Sequence, residues 1–505
     1  MIDALLHALP LVFAPMNILA MFIGLIAGLI VGCLPGLTVV TGLAVLIPLT
    51  FGLDPMFALG MMAGMYNGGS YGGAIPAILM RVPGTPASVA TVLDGYKMTQ
   101  KGQAAYALQV ALLSGVIGSV LSSISLILLS PPLVSFSLMF GPIEYFWLGI
   151  LGLATVSSLL GDDLPKGLIA CGIGLLIGAV GQDISNGTER FTFDQLDLLD
   201  GFSAIVLLTG LFAVPPVLQI IEEAVKTGMS GDKLKLHRQG SALSQWRFFT
   251  PVWIRSSIIG IIIGILPGAG GSMSSFLAYN EAKRVARNPE TFGHGNPEGV
   301  AASECGNGAD NAASLIPALA LGIPGSGVAA VILGGLLVHG LRPGPQLFRE
   351  HPDIVYGFML QFLVTSFLLA IVGGLAATRI FGQVLRLPRI VLAPVILLFV
   401  TVGVYSVNNS LFDLWVLLGV GLIGYVLERL DYPSAPIVLG LLLGPMIESQ
   451  LRLALTISSG KTTALLSTPI AVTLALLSAA ILLAPAWRMW RERGKTPAVE
   501  GAESR

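Results

Sequence analysis

The chain has 505 residues, 54% of them hydrophobic and 11% charged, with a formal net charge of −1 and a mean hydropathy of +0.83. Soluble domains carry about 25% charged residues, so this composition excludes an ordinary soluble protein and points to a polytopic membrane protein. The near-zero net charge gives no reason to expect a nucleic-acid partner. Cys33, Cys171 and Cys305 stand at spacings that fit neither a zinc site nor a disulfide framework, and read as buried free thiols.

No lysine or arginine precedes Arg81, so a cleaved leader with a basic start is not expected and the first hydrophobic segment is expected to stay. Runs free of charge recur along the chain, enough for about ten to twelve spanning or half-spanning helices. Gly24, Gly28 and Gly32 recur at every fourth position, the small-residue spacing that lets membrane helices approach closely. That segment stops at Leu34-Pro35-Gly36. Asp54, ahead of Pro55, reads as the cap of the next helix. Next come Tyr66-Asn67-Gly68-Gly69-Ser70-Tyr71-Gly72-Gly73 and Arg81-Val82-Pro83-Gly84-Thr85-Pro86. Each glycine in a helix costs up to about 1 kcal/mol relative to alanine and each proline removes a donor, so a re-entrant or discontinuous helix is expected here.

Asp94 to Lys101 reads as an exposed polar connection. Residues 104–221 read as scaffold helices punctuated by Pro131-Pro132, Gly161-Asp162-Asp163, the polar loop Gln182 to Asp200, and Pro215-Pro216, with no evident chemistry. Lys226, Lys233, Lys235, Arg238, Arg247 and Arg255 then form the largest basic cluster between spans, which the positive-inside rule makes cytoplasmic. The chain divides there into an N-terminal half, residues 1–225, a linker, 226–255, a C-terminal half, 256–487, and a basic tail, 488–505. Arg379, Arg386 and Arg389 mark a further cytoplasmic turn, and Arg488, Arg491, Arg493 and Lys495 place the C-terminus on the same side.

The halves echo each other. Gly28, Gly32, Pro35 and Gly36 recur at identical spacing as Gly260, Gly264, Pro267 and Gly268. Ile75, Pro76, Ala77, Pro83, Gly84 and Thr85 match Ile316, Pro317, Ala318, Pro324, Gly325 and Ser326. Such internal repetition is a mark of secondary transporters. Each half then has site hairpins, at about 16–86 and 256–340, followed by scaffold helices at 104–221 and 354–487. The fold expected is all-α and polytopic, with two repeat-related halves.

Broken helices in a membrane aim N-terminal N–H groups at an anion, while freed carbonyls and side-chain oxygens hold Na⁺. On that basis the candidate substrate residues are Asn67, Gly68, Gly69, Ser70, Tyr71, Gly72, Gly84, Thr85, Asn307, Gly308, Pro324, Gly325 and Ser326. The candidate cation ligands are Thr38, Asn67, Asn307, Asp310 and Asn311. Asp310 reads either as the cap of a helix beginning near Ala312 or as a Na⁺ ligand or proton carrier, and Glu304 carries the same ambiguity. His294, His339 and His351 are scattered, so no other metal site is expected. Ser459-Gly460-Lys461-Thr462 lacks the first glycine of a phosphate-binding loop. Gly306-Asn307-Gly308-Ala309-Asp310 is one residue too long for an intramembrane aspartyl protease motif.

The LPG turn, the stretch NGGSYGGAIPAILMRVPGTPASVATVLDGY, and LPGAGGSMSSFLAYNEAKR followed by GNGADNAASLIPALALGIPGS resemble the large membrane subunit of the tripartite tricarboxylate transporter family. The likeness covers nearly the whole chain. It implies a multi-pass importer of tricarboxylates or related carboxylates in the bacterial inner membrane, driven by Na⁺ or H⁺ and lacking an enzymatic cofactor. It also implies two partners, a small membrane subunit and a periplasmic binding protein. The alternatives are an intramembrane aspartyl-type enzyme and a passive carboxylate channel.

Overall fold

In the computed structural model the glycine stripe of the first long helix meets another backbone directly. The structure describes residues 2–34, 37–159, 164–183, 188–227, 242–266, 270–376 and 389–493. Pro35, Gly36, Gly161, Asp162, Asp163, Lys233, Lys235, Arg238, Pro267, Gly268, Arg379, Arg386 and Lys495 lie outside the described residues.

The N-terminal elements are α1 (Ile2–Val12), α2 (Pro15–Cys33), α3 (Val39–Leu49), α4 (Pro55–Met80), α5 (Val89–Gln100), α6 (Ala104–Ser137), α7 (Pro142–Leu159), α8 (Leu164–Gly178) and α9 (Ala204–Thr227). Then follow α10 (Trp246–Ile265), α11 (Gly270–Val285), α12 (Pro297–Ala313), α13 (Leu315–Leu321), α14 (Gly327–Val338), α15 (Pro345–Glu350) and α16 (Pro352–Ala376). Helices Arg389–Asn408, Leu411–Arg429, Ser434–Ile457 and Pro469–Arg493 complete the chain. Among the described residues seven helices are long and apolar enough to cross a membrane, α2, α6, α9, α10, α16, Leu411–Arg429 and Ser434–Ile457, and several shorter apolar helices accompany them. The described β-structure is one two-residue ladder, Gly181 with Arg190 and Gln182 with Glu189, inside the polar loop. This is an all-α, multi-pass membrane protein.

Asp54 caps α4 as its position predicts, accepting from the N–H groups of Met56 (2.9 Å) and Phe57 (3.2 Å). Asp54→Ala is expected to cost about 1 kcal/mol, read as a lower melting temperature of the purified chain.

The glycine-rich stretch departs from expectation, because residues 66–73 lie inside the unbroken helix α4. Tertiary packing overrides glycine's weak propensity. Cβ atoms on Gly64, Gly68 and Gly72 would lie 2.3, 2.3 and 2.7 Å from the carbonyl oxygens of Met21, Leu25 and Leu29, and ones on Gly24, Gly28 and Gly32 would strike α4 at Met61, Met65 and Gly69. The two backbones are thus in contact over three turns, a close approach only glycine permits. Asp94 to Lys101 is likewise no exposed connection: it belongs to α5 and the C-cap of that helix, and Asp94 is fully buried. Pro131-Pro132 and Pro215-Pro216 lie inside α6 and α9 instead of between helices.

The chain breaks where prolines and glycines cluster beyond α4 and α13. Arg81 (φ 62°) ends α4, after which Val82 N–H donates to Pro76 O (3.4 Å) and Gly84 N–H to Gly73 O (3.1 Å). Gly322 (φ 75°) ends α13, after which Ile323 N–H donates to Pro317 O (3.3 Å) and Gly325 N–H to Ser314 O (3.1 Å). Each break folds the chain back to the middle of the preceding helical run before α5 or α14 sets off again. These are the same two backbone bonds at matching positions.

Contacts fix the helix directions. Gly118 abuts Cys305, and Ser122 bonds to the N–H groups of Ala312 and Ala313, so α6 and α12 run parallel. Asn67 pairs with Asn311 and Tyr66 with Ser314, while Ser70 and Tyr71 face Glu304 and Gly308, so α4 and α12 run antiparallel. Tyr106 at the start of α6 donates to Gln245 (2.6 Å), placing residues 104–106 and 242–245 on one face.

Candidate functional site

Four helix N-termini gather in one place. Thr38 and Ser326 cap α3 and α14 through their hydroxyls, accepting from Thr41 N–H (3.3 Å) and Ala329 N–H (3.1 Å). Residues 86–88 lead into α5, and Gly270 opens α11. A Cβ on Gly271 would lie 3.4 Å from Ala87, one on Gly270 3.8 Å from Ser326, and one on Gly327 3.9 Å from Val40. The breaks of both segments therefore converge, with N–H groups and partial positive charge directed inward.

Helix α12 presents the polar stripe. Glu304, Asn307, Asp310 and Asn311 are each at most 4% exposed. Asp310 lies in the helix interior and not at a cap, because α12 runs unbroken to Ala313. Ser274 donates to its Oδ1 (3.4 Å), and Cβ atoms on Gly264 and Gly271 would lie 3.1 Å from Oδ1 and 3.5 Å from Oδ2. Gly271 is also seated on Asn307 Oδ1, so the start of α11 covers Asn307 and Asp310 together. Glu304 accepts from Thr91 Oγ1, which also shares a 2.9 Å bond with Ser303. Among the described residues no lysine or arginine stands within ion-pair distance of Glu304 or Asp310.

Asn67 ties three helices together. Its Oδ1 accepts from Asn311 Nδ2 (3.1 Å), and its Nδ2 reaches Phe362 O (3.2 Å), Thr365 (2.9 Å) and Ser366 (3.3 Å) of α16. Alongside, Tyr66 Oη shares bonds with Ser314 (3.3 Å) and Ser326 (3.5 Å). Asn67, Ser70, Tyr71, Gly115, Ser119, Glu304, Gly308 and Leu369 line a narrow crevice where α4, α6, α12 and α16 meet, nowhere wide enough for a water molecule. The crevice is closed in this conformation, and a ligand larger than water fits only if these helices part.

The sequence-predicted residues fall into four groups. Asn67, Ser70, Tyr71 and Gly308 line the crevice, with Asn311 bonded to Asn67. Asn307 and Asp310 face the start of α11. Gly68 and Gly72 are turned onto α2, and Gly69 abuts Val39 of α3 and Gly28 of α2. Gly84, Thr85, Pro324, Gly325 and Ser326 form the two breaks, Thr85 bonded to Ser88 (2.9 Å) and Ser326 to Ser314 (3.2 Å). Thr38 caps α3, its described side-chain partners being Thr41 Oγ1 and N–H. Sequence reasoning passed over Thr91, Ser119, Ser122, Ser274, Thr365 and Ser366. Gly115, Gly118, Ser119 and Ser122, small residues on one face of α6, were the available sign that the scaffold reaches the site.

Comparison with known proteins identifies the family. The chain is 37% identical over 482 residues, 95% of both chains, to an uncharacterized 52.8 kDa protein of the TAR-I ttuC' 3' region of Agrobacterium vitis. It is 37% identical over 237 residues to an uncharacterized protein of the TAR-II ttuC' 3' region of the same organism, covering 46% of this chain and 98% of that shorter protein. No solved structure gives a significant match. The model of the tripartite tricarboxylate transporter TctA family matches residues 18–439, so the chain belongs to that family and is the large membrane subunit of such a transporter.

Proposed function

We propose that the chain imports tricarboxylates or related organic carboxylates, coupled to Na⁺ or H⁺, by alternating access around the crevice between α4 and α12. The observation that carries this reading is the antiparallel meeting of two like-built segments at a closed polar crevice. Matching turns, matching glycine contacts and opposite directions support reading residues 1–225 and 256–487 as the halves of an inverted repeat. Such repeats exchange roles when the molecule rocks, opening the same site to one face and then the other.

In this reading the N-termini of α5 and α14, with Thr85 and Ser326, receive substrate carboxylates. Asp310, Asn307 and Ser274 supply oxygens for the cation, and Asn67 and Asn311 a second oxygen pair. Glu304 is the crevice's own acid. It argues against aspartyl chemistry, since it sits six residues from Asp310 on one helix, about 9 Å along the axis, and is bonded to Thr91. By the positive-inside rule the basic segments 226–255 and 488–495 lie on the cytoplasmic side of the inner membrane. The small membrane subunit packs alongside in the bilayer, and the periplasmic binding protein delivers substrate to the opposite face.

Citrate is expected to stabilise the purified chain by about 2.7 kcal/mol at a hundredfold excess over its dissociation constant, with Na⁺ or acid pH required. Asn67→Ala is expected to lose that stabilisation in a thermal-melt measurement. Equal stabilisation of variant and parent would remove the crevice from the site.

A further inference from the structure

Helix α5 is tied to α11 and to the start of α12 by one buried carboxylate. Asp94, 0% exposed, accepts at Oδ1 from the N–H groups of Gly293 (2.9 Å), Gly295 (2.7 Å) and Asn296 (2.8 Å), and at Oδ2 from Tyr279 Oη (2.8 Å). The turn supplying those N–H groups needs glycine, with φ 86° at Gly293 and 95° at Gly295. A Cβ on Gly299 would lie 2.2 Å from Asp94 Oδ2. One turn earlier on α5, Thr91 donates to Glu304, which lines the crevice.

The matching position in the other half is built differently. The register that lays Gly84 on Gly325 lays Asp94 on Gly335 and Met62 on Ser303, and the register that lays Gly28 on Gly260 lays Ile47 on Tyr279. A Cβ on Gly335 would lie 2.9 Å from Met62 and 3.3 Å from Ile47. There α14 closes on α3 chiefly through apolar contact, with the Thr50–His339 bond (3.2 Å) at its edge.

We propose that Asp94 is the latch of the face that carries residues 242–245, a positioning residue that holds α5 shut over the crevice while the opposite face closes mainly by apolar packing. Its bonds converge on one carboxylate and break together when α5 swings out, so the arm has two states and few between. Apolar packing, being non-directional, permits gradual sliding at the other face. Thr91 links the latch to the crevice: a ligand that draws Glu304 away loosens α5 one turn from Asp94. The proposal rests on the transport reading above.

Ser303, beneath α5, is the reporter. Ser303→Cys, in a chain whose Cys33, Cys171 and Cys305 are replaced by serine, is labelled with a membrane-impermeant maleimide from either face of oriented vesicles. Asp94→Ala is expected to raise the labelling rate from the 242–245 face by about tenfold or more, the factor corresponding to loss of one hydrogen bond to a charged group. Asp94→Asn, whose amide oxygen still accepts the three N–H groups, is expected to restore most of the protection. Tyr279→Phe, which removes only the bond to Oδ2, is expected to fall between. Unchanged labelling from both faces in Asp94→Ala overturns the latch, as does unchanged labelling in Tyr279→Phe should the alanine variant not reach the membrane. A rise confined to the opposite face overturns the assignment to the 242–245 face. Uptake reads the transport reading separately: graded labelling in a parent chain that moves no carboxylate upholds the latch and overturns that reading.

Discussion

Asp310→Asn is expected to leave the chain folded and to lower ion-driven uptake roughly a hundredfold, the equivalent of about 2.7 kcal/mol of lost cation binding. The side chain is 1% exposed in the interior of α12, and asparagine keeps its size and an oxygen to accept from Ser274. What it removes is a negative charge with no described basic partner, held where Gly264 and Gly271 bring backbone against it. An unpaired acid at membrane depth is costly to keep unless it serves a cation or a proton. Initial rates against a Na⁺ or H⁺ gradient check this, and an unchanged rate with unchanged gradient dependence would remove Asp310 from the coupling site.

Gly325→Ala and Gly84→Ala are expected to abolish uptake by preventing the breaks from closing. A Cβ on Gly325 would lie 2.3 Å from Gly264 O and 2.9 Å from Ser314 Cα, and one on Gly84 2.2 Å from Gly32 O and 2.8 Å from Gly73 Cα. These obstacles are backbone atoms, which cannot rotate aside. Overpacking of this kind costs about 1–3 kcal/mol or more and shifts the backbone, here across the cap of the following helix. Gly322→Ala is the control: its φ of 75° strains alanine, but nothing stands within 4 Å, so a loss of about 1 kcal/mol with uptake retained is expected. Melting temperature and uptake measured together separate the two classes, and normal transport by Gly325→Ala would contradict the role given to the break.

The breaks were legible in the sequence because their cause is local. Pro83-Gly84 and Pro324-Gly325 each follow a helix that cannot continue, and Asp54 ahead of Pro55 announces a cap. The unbroken course of α4 was not legible, because the glycines at 64, 68 and 72 serve the close approach of the α2 backbone, about forty residues earlier, which leaves no room for a Cβ and which propensity scales do not contain. Asp94 looked like a surface residue for the same reason: its N–H partners lie 199, 201 and 202 positions away. Ser119 and Ser122 passed as ordinary serines of an apolar helix, since only the parallel packing of α6 on α12 brings them to the crevice and to the N–H groups of Ala312 and Ala313. Asn307, Asp310 and Asn311 were legible as polar groups in an apolar setting, whereas their separation into one set facing α11 and one facing Asn67 depends on helix rotation.

The most direct test is uptake of labelled citrate and related carboxylates into proteoliposomes holding this chain with its small membrane subunit, with and without the binding protein, under imposed Na⁺ or H⁺ gradients. Accumulation above equilibrium that requires the binding protein and one of the gradients is the expected result. Equilibration indifferent to both gradients would contradict coupled alternating access and make the protein a channel.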